Sequence, residues 1–323
     1  MIIIEMNVCG DRWLNPRELE ETILTSDPTE HIILDFRSEG PSLKALGIVD
    51  MLDRLCTQIN RDIKTIWLDN FSNSVEILPY QRANHFRMSH FLWMSEKYWR
   101  EAVPTDRGAK LLGLFVGRRS LSRLAILYDV YHHYKDCSLL SCMNNHRILP
   151  VNYANDRGID LDFTSGWTDT YDVDALCRWY DSDPVSSIDG HTIQDQYVND
   201  KNTNADLLNH YHKFQIELVA ETYTIGECFF PTEKTVRPLM AGKPCLIYGP
   251  PGYLKKLQDM GFYTWHKIWD ESYDALQGVD RWIEMKNTIN EIIKNGYDYQ
   301  TSKSIAVHNH RMLKQLAEKY KPK

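Results

Sequence analysis

Short apolar runs alternate with amphipathic stretches from the first residues of the chain. "MIIIEMNV" is an apolar run of strand length. "NPRELEETILTS" follows, with Asn15 placed to cap a helix, Pro16 at its first position, acids early and apolar residues at helical spacing. "HIILDF" reads as a second strand and "KTIWLDN" as a third. Between them, "GPSLKALGIVDMLDRLCTQI" opens with a glycine-proline turn and continues as an amphipathic helix. "VEILPY" is strand-like, and "HFLWMSEKYWREAV" reads as a helix. This β-α-β-α-β order implies a parallel sheet with helices on its faces.

The polar, breaker-rich "PTDRG" at Pro104–Gly108 interrupts the pattern, which then restarts. "AKLLGLFVG" reads as a strand, "LSRLAILYDVYHHY" as a helix and "CSLLSCM" as a strand. The stretch from Asn144 to His191 is irregular, polar and aromatic. Beyond it, "NADLLNHYHKFQ" looks helical and "IELVAET" looks like a strand. "TEKTVRPLMAG", "PCLIYG", "PGYLKKLQDMG" and "FYTW" then read as helix, strand, helix and short strand. A helical region from Gly278 to Lys321 ends the pattern. The expected class is α/β, with residues 1–107 as one Rossmann-like domain and 108–323 as a second, larger one. Two such sheets facing each other make a deep cleft, because ligands of open α/β sheets bind beyond the carboxyl ends of the strands.

Two strand-to-helix turns in the second domain carry chemistry. In "FFPTEKTVRPLMAGKPCLIYG", Pro231 and Thr232 stand where a helix starts, and Glu233 and Lys234 fall in its first turn. A helix N-terminus offers free N–H groups and a positive dipole end, which suits phosphate. Lys234 adds a full charge there, and Glu233 can accept hydrogen bonds from a ribose diol. In "LFVGRRSLSRLAIL", Gly117 ends a strand, Arg118 and Arg119 sit in the turn, Ser120 or Ser122 caps the next helix, and Arg123 lies in its first turn. Glycine permits close backbone approach, and arginine can hold phosphate oxygens bidentately. The plainer alternatives are a capped helix with a surface ion pair and a surface basic cluster.

The stretch from Ala109 to Gly249 resembles the donor-binding domain of GT-B-type glycosyltransferases, most of all the alpha-fucosyltransferase kind. The residues that carry the likeness are Arg123, "AET" at Ala220–Thr222, "TEK" at Thr232–Lys234 and "AGKPCLIYG". The longer run of "TEKT", "AGKP", "GYLKKL", "GF" and "DESYD" is also similar to glycosyltransferase-like sequences of viruses and bacteria. The resemblance implies a GT-B-like fold and transfer of a hexosyl or pentosyl group from a nucleotide-diphosphate sugar to a hydroxyl of a glycan acceptor. It implies that Lys234 contacts the donor's phosphates and Glu233 its ribose, and Gly117, Arg118, Arg123 and Thr232, from the two turns, join them as donor-binding candidates. Glu221 and Thr222 would lie near the transferred sugar or the nucleotide. Where that family has Phe-Glu-Asn this chain has Ala-Glu-Thr, so the identity of the sugar does not carry over.

Transfer needs a general base for the acceptor hydroxyl. The first domain offers Asp11, Glu39 and Asp69 at the ends of its strands. Glu39, beside a glycine turn and a helix start, fits best, then Asp11; a structural ion pair is the alternative for each. Three Asp-x-Asp strings, Asp160–Asp162, Asp172–Asp174 and Asp181–Asp183, suit a divalent metal in other glycosyltransferases. A diphosphate already served by lysine and arginine does not need one, so no metal or other cofactor is expected. "WDESYD" at Trp269–Asp274 reads either as a shaper of the cleft or as a helix-capping motif through Ser272 or Asp274.

Bulk properties narrow the partners. The 323-residue chain has a net charge of -7 and a pI near 5.9, which counts against gripping a nucleic-acid backbone. A modestly basic stretch, "QRANHFRMSHF" with Arg82, His85, Arg87 and His90, keeps open an enzyme that glycosylates modified DNA bases, as some phages use. A non-catalytic nucleotide-binding protein is the other rival. The seven cysteines stand singly, fit no zinc spacing and suit a reducing cytosol, that of the host if the chain is viral. No apolar run reaches membrane-span length, and Glu5 breaks the first run, which lacks the basic flank of a signal peptide.

Overall fold

The structure, a computed structural model, describes residues 1–6, 12–13, 15–36, 42–70, 81–84, 107–116, 120–142, 159–160, 166–182, 185, 207–208 and 210–319. Its strands are β1 (Ile2–Glu5), β2 (Arg12–Trp13), β3 (Ile32–Phe36), β4 (Ile66–Asn70), β5 (Gln81–Asn84), β6 (Lys110–Val116), β7 (Ser138–Cys142), β8 (Ile159–Asp160), β9 (Phe214–Ala220) and β10 (Cys245–Tyr248). Its α-helices are α1 (Pro16–Thr25), α2 (Ile48–Gln58), α3 (Leu121–Tyr134), α4 (Trp167–Thr170), α5 (Val173–Asp181), α6 (Glu233–Ala241), α7 (Tyr253–Asp259), α8 (Gly278–Asn295) and α9 (Tyr299–Lys319). The class is mixed α/β with parallel sheets. No helix among the described residues is long and apolar enough to cross a membrane.

The chain forms two compact units, each assembled from several stretches. One comprises Met1–Arg87, Leu149–Thr164 and Thr222–Phe230; the other comprises Met88–Ile148, Ser165–Glu221 and Pro231–Lys323.

In the first unit, β1, β3, β4 and β5 form a parallel sheet in sequential order. Alternation along β3 points Ile32, Leu34 and Phe36 to one face. There they pack with Leu19 and Ile23 of α1 and Leu52, Leu55 and Cys56 of α2, all essentially buried. The same core receives Ile225 from the late stretch Thr222–Phe230. Gly226 beside it has φ of 72°, and a Cβ there would stand 2.1 Å from Ser42 Oγ, so the close approach requires glycine. A short antiparallel pair, β2 with β8, completes the described part of this unit.

The second unit has the parallel sheet order β10-β9-β6-β7. Strands β6, β9 and β10 are buried on both faces, as parallel strands between helix layers are. The chain steps from β6 out to β7, then crosses back past β6 to lay down β9 and β10. The order therefore reverses between β6 and β9, and that reversal is where open α/β sheets hold ligands. Asp129 of α3, 4% exposed, ties the helices together by accepting from Tyr171 Oη at 2.6 Å, Trp282 Nε1 at 2.9 Å and Lys286 Nζ at 2.7 Å.

Several elements differ from the sequence reading. "FYTW" is not a strand. The backbone of Tyr263 pairs with a side chain instead, donating to Asn309 Oδ1 and accepting from Asn309 Nδ2, both at 2.8 Å. The helical region after Gly278 breaks at Gly296, whose φ of 73° ends α8. β9 starts at Phe214, two residues before the expected strand, and a 3-10 turn at Tyr211–Lys213 replaces the end of the expected helix. The segments "VEILPY" and "HFLWMSEKYWREAV" lie outside the described residues.

Candidate functional site

The site stands at the carboxyl ends of β6 and β9. After β6, Ser120 caps α3 by accepting from Arg123 N at 3.4 Å, and Arg123 in the first turn is only 3% exposed. Gly117, Arg118 and Arg119, between strand and cap, lie outside the described residues. The chain leaves β9 at Glu221 and returns to this unit at Pro231. Thr232 then caps α6, accepting from Lys234 N at 3.3 Å.

Glu221 is 1% exposed and both of its oxygens are engaged. Oε1 accepts from Thr232 N at 3.1 Å, Thr235 Oγ1 at 2.6 Å and Tyr253 Oη at 3.1 Å. Oε2 accepts from Thr232 Oγ1 at 2.6 Å. One carboxylate thus fixes the first turn of α6 and the first residue of α7 to the end of β9. A negative charge at the N-terminal end of α6 also suits the helix dipole.

Lys234 is 8% exposed. Its Nζ donates to Glu233 Oε1 and lies 3.4 Å from Thr232 Oγ1. Burial holds its pKa below the usual lysine range, and the Arg123 charge pushes it the same way, while Glu233 and Glu221 oppose both. Burial alone would raise the Glu233 carboxyl, but Lys234 and Arg237 outweigh it and take the pKa down to about 2. Arg123 and Lys234 therefore put two buried cations within electrostatic reach of each other at the switch between β6 and β9. That arrangement favours an anion.

Of the residues singled out by sequence, Arg123, Glu221, Thr232, Glu233 and Lys234 gather here. Thr222 is half-buried and belongs to the first unit. Asp11, Glu39, Gly117 and Arg118 lie outside the described residues, as does the side chain of Asp69. Asp172 caps α5, accepting from Ala175 N at 3.0 Å, which gives one Asp-x-Asp string a structural task. In "WDESYD", Asp274 caps α7 rather than its own helix: it accepts from Leu254 N at 3.0 Å and from Lys255 N at 3.2 Å, and pairs with Arg281 at 2.9 Å. Among the described residues, no group of three or more His, Cys, Asp or Glu side chains is placed to hold a metal ion.

Thr235 and Tyr253 are site residues that the sequence reading missed. Both stand in the first turns of helices that follow adjacent strands, and that shared βα position was the signal available. A second buried network adjoins the site through Arg237 of α6. Tyr211 donates to Glu217 Oε2, and Arg237 reaches Glu217 Oε1 and Tyr211 Oη, each at 3.3 Å. Burial raises the Glu217 carboxyl to about 7, against the opposing pull of Arg237 and Tyr211.

Compared with protein-family models, curated proteins and solved structures, the chain matches none.

Proposed function

We propose that this protein is a glycosyltransferase whose second unit binds a nucleotide-diphosphate sugar at the β6/β9 switch. One observation carries the reading. Two buried cations, Arg123 and Lys234, occupy the first turns of the two helices that follow the adjacent central strands. A diphosphate at that point would meet both cations and the N-terminal dipoles of α3 and α6. Glu233, ionised through the physiological range, supplies an acceptor for ribose hydroxyls. Glu221 positions rather than contacts: its hydrogen bonds set the angle at which Thr232 and Lys234 are offered.

The reading brings with it the two-domain arrangement of GT-B enzymes, with the glycan acceptor held by the N-terminal part. The general base would be Glu39, or failing that Asp11 or Asp69. It would take the acceptor's hydroxyl proton as the oxygen attacks the anomeric carbon, and the nucleoside diphosphate would leave with the bonding pair. The free cysteines among the described residues, Cys56, Cys137, Cys142, Cys177, Cys228 and Cys245, support a reducing, cytoplasmic setting.

Titration calorimetry with UDP, GDP and ADP and their common sugar conjugates tests the proposal on wild type and Lys234→Ala. A charge-assisted contact is worth roughly 1.5–3 kcal/mol, so the variant should bind the best nucleotide about tenfold or more weakly. Failure of every nucleotide to bind wild type, or equal binding by a folded Lys234→Ala, refutes it.

A further inference from the structure

We propose that a groove beyond the C-terminal end of α7 binds a neutral sugar ring, stacked on Tyr263. The groove, of about 390 Å³, is lined by Gln258, Gly261, Phe262, Tyr263, Thr264 and His266. That volume lies within the range of small-molecule sites. It belongs wholly to the second unit and is separate from the cation pair. Tyr253, at the opposite end of the seven-residue helix, is the residue that reaches Glu221. The helix puts about 10 Å of axis between the two ends. The inference does not rest on the nucleotide reading.

Tyr263 is a large aromatic left 56% exposed, yet it is held in place on several sides. His308 stacks against its ring, with centroids 3.7 Å apart and planes 5° from parallel. His308 is itself anchored, because Nε2 donates to the Gly261 carbonyl at 3.0 Å. Asn309, fully buried, pairs with both backbone groups of Tyr263. A ring braced by a buried amide and a stacked imidazole is a pre-organised platform, and its ordering cost is met by the fold before any ligand arrives.

A row of hydrogen-bonding groups runs beside the platform. Gln258 Nε2 donates to Thr264 Oγ1 at 2.7 Å. The Thr264 hydroxyl also lies 3.2 Å from His266 Nδ1 and hydrogen-bonds the Glu271 carboxyl. Among the lining residues, the His266 imidazole can donate or accept according to its tautomer, and Gln258 brings an amide oxygen as an acceptor. Tyr263 Oη adds a group that does both. No lining residue is Lys, Arg, Asp or Glu. A flat apolar face with hydroxyls at its rim fits this surface, because each hydroxyl both donates and accepts. A phosphorylated ligand finds no counter-charge in the lining.

Saturation-transfer NMR on the full chain tests the inference. The probes are methyl glucosides, galactosides and mannosides, N-acetylglucosamine, and adenosine and uridine. At least one sugar should take up saturation at its ring C–H protons, and saturating UDP should not displace it. Tyr263→Ala should cut the signal about three- to tenfold, while Tyr263→Phe keeps the platform and most of the signal. Should Tyr263→Ala fail to fold by circular dichroism, Gln258→Ala carries the test and should at least halve the signal. The inference is overturned if no sugar is saturated, if only nucleosides are, or if the folded variant that carries the test binds as wild type does.

Discussion

Replacing Glu221 by alanine should destabilise the second unit by about 3–5 kcal/mol. The magnitude follows from the contacts. Four donors converge on this carboxylate, from Thr232 N, Thr232 Oγ1, Thr235 Oγ1 and Tyr253 Oη. Bonds to a charged acceptor are worth roughly 1.5–3 kcal/mol each, which would sum to about 6–12 kcal/mol if all were lost outright. They are not all lost. Thr235 Oγ1 and Tyr253 Oη already lie 3.0 Å apart, so one of these hydroxyls can donate to the other. The Thr232 hydroxyl can rotate, whereas its N–H cannot. Lys234 also loses a stabilising charge. The remainder matches the cost of breaking a buried charged pair, about 3–5 kcal/mol. Glu221→Gln keeps an oxygen at the Oε1 position and should cost only about 1–2 kcal/mol. Urea unfolding followed by tryptophan fluorescence is the assay, since Trp167, Trp265 and Trp282 are buried in the second unit. A chain of two units can unfold in more than one step, so the step these tryptophans report is the one to fit. If Glu221→Ala stays within about 1 kcal/mol of wild type, the clasp is not holding α6 and α7 as described.

Stability should fall as pH rises from about 4.5 to 7. Burial raises the carboxyls of Glu217 and Glu271 to about 7, so in that window the folded state holds protons the unfolded chain has released. Each group should cost on the order of 1–3 kcal/mol by pH 8, and Glu271→Gln should flatten the decline seen in urea titrations; a wild-type slope unchanged by that variant counts against it. Below pH 4.5 the sign reverses, because Glu233, held down to about 2, contributes stability that is lost as it protonates. Gly226→Ala should destabilise the first unit by roughly 2–5 kcal/mol, combining a left-handed φ with a clash against buried Ser42. A denaturation midpoint equal to wild type would refute that packing. The proposed sugar transfer should survive EDTA, since Arg123 and Lys234 would supply the positive charge; complete loss restored by Mn²⁺ would bring the Asp-x-Asp strings into the mechanism.

The regular elements were largely legible because their signals are local. Pro16 behind Asn15 marked the start of α1, and "HIILDF" and "PCLIYG" marked β3 and β10. Thr232 and Ser120 announced their helices in the same way. The conversion of "FYTW" from strand to braced turn was not legible, because it depends on Asn309, which lies 46 residues away from Tyr263. The partners of Glu221 were hidden for a related reason. Tyr253 reaches it only because β9 and β10 lie side by side in register, and Thr235 only because the chain returns to this unit at Pro231 after its excursion. Sequence spacing placed cations at the ends of strands; it could not tell that the acid among them holds the scaffold.

The late arrival of Ile225 in the first unit's core bears on how the chain is made. The other residues of that core all precede Thr65 or end at Ile66, and about 160 residues separate Ile66 from Ile225. At ~5–20 residues per second a ribosome needs roughly 8–30 s to cover that gap. For that time the newborn N-terminal sheet waits with Ser42 and Ala45 uncovered where Gly226 will seat. In the meantime β6 and β7 emerge, and β9 follows immediately before the missing piece. Synthesis therefore delivers a central strand of one sheet and the closing segment of the other core almost together, and the first unit can close while β10 and α6 to α9 of the second are still to be made.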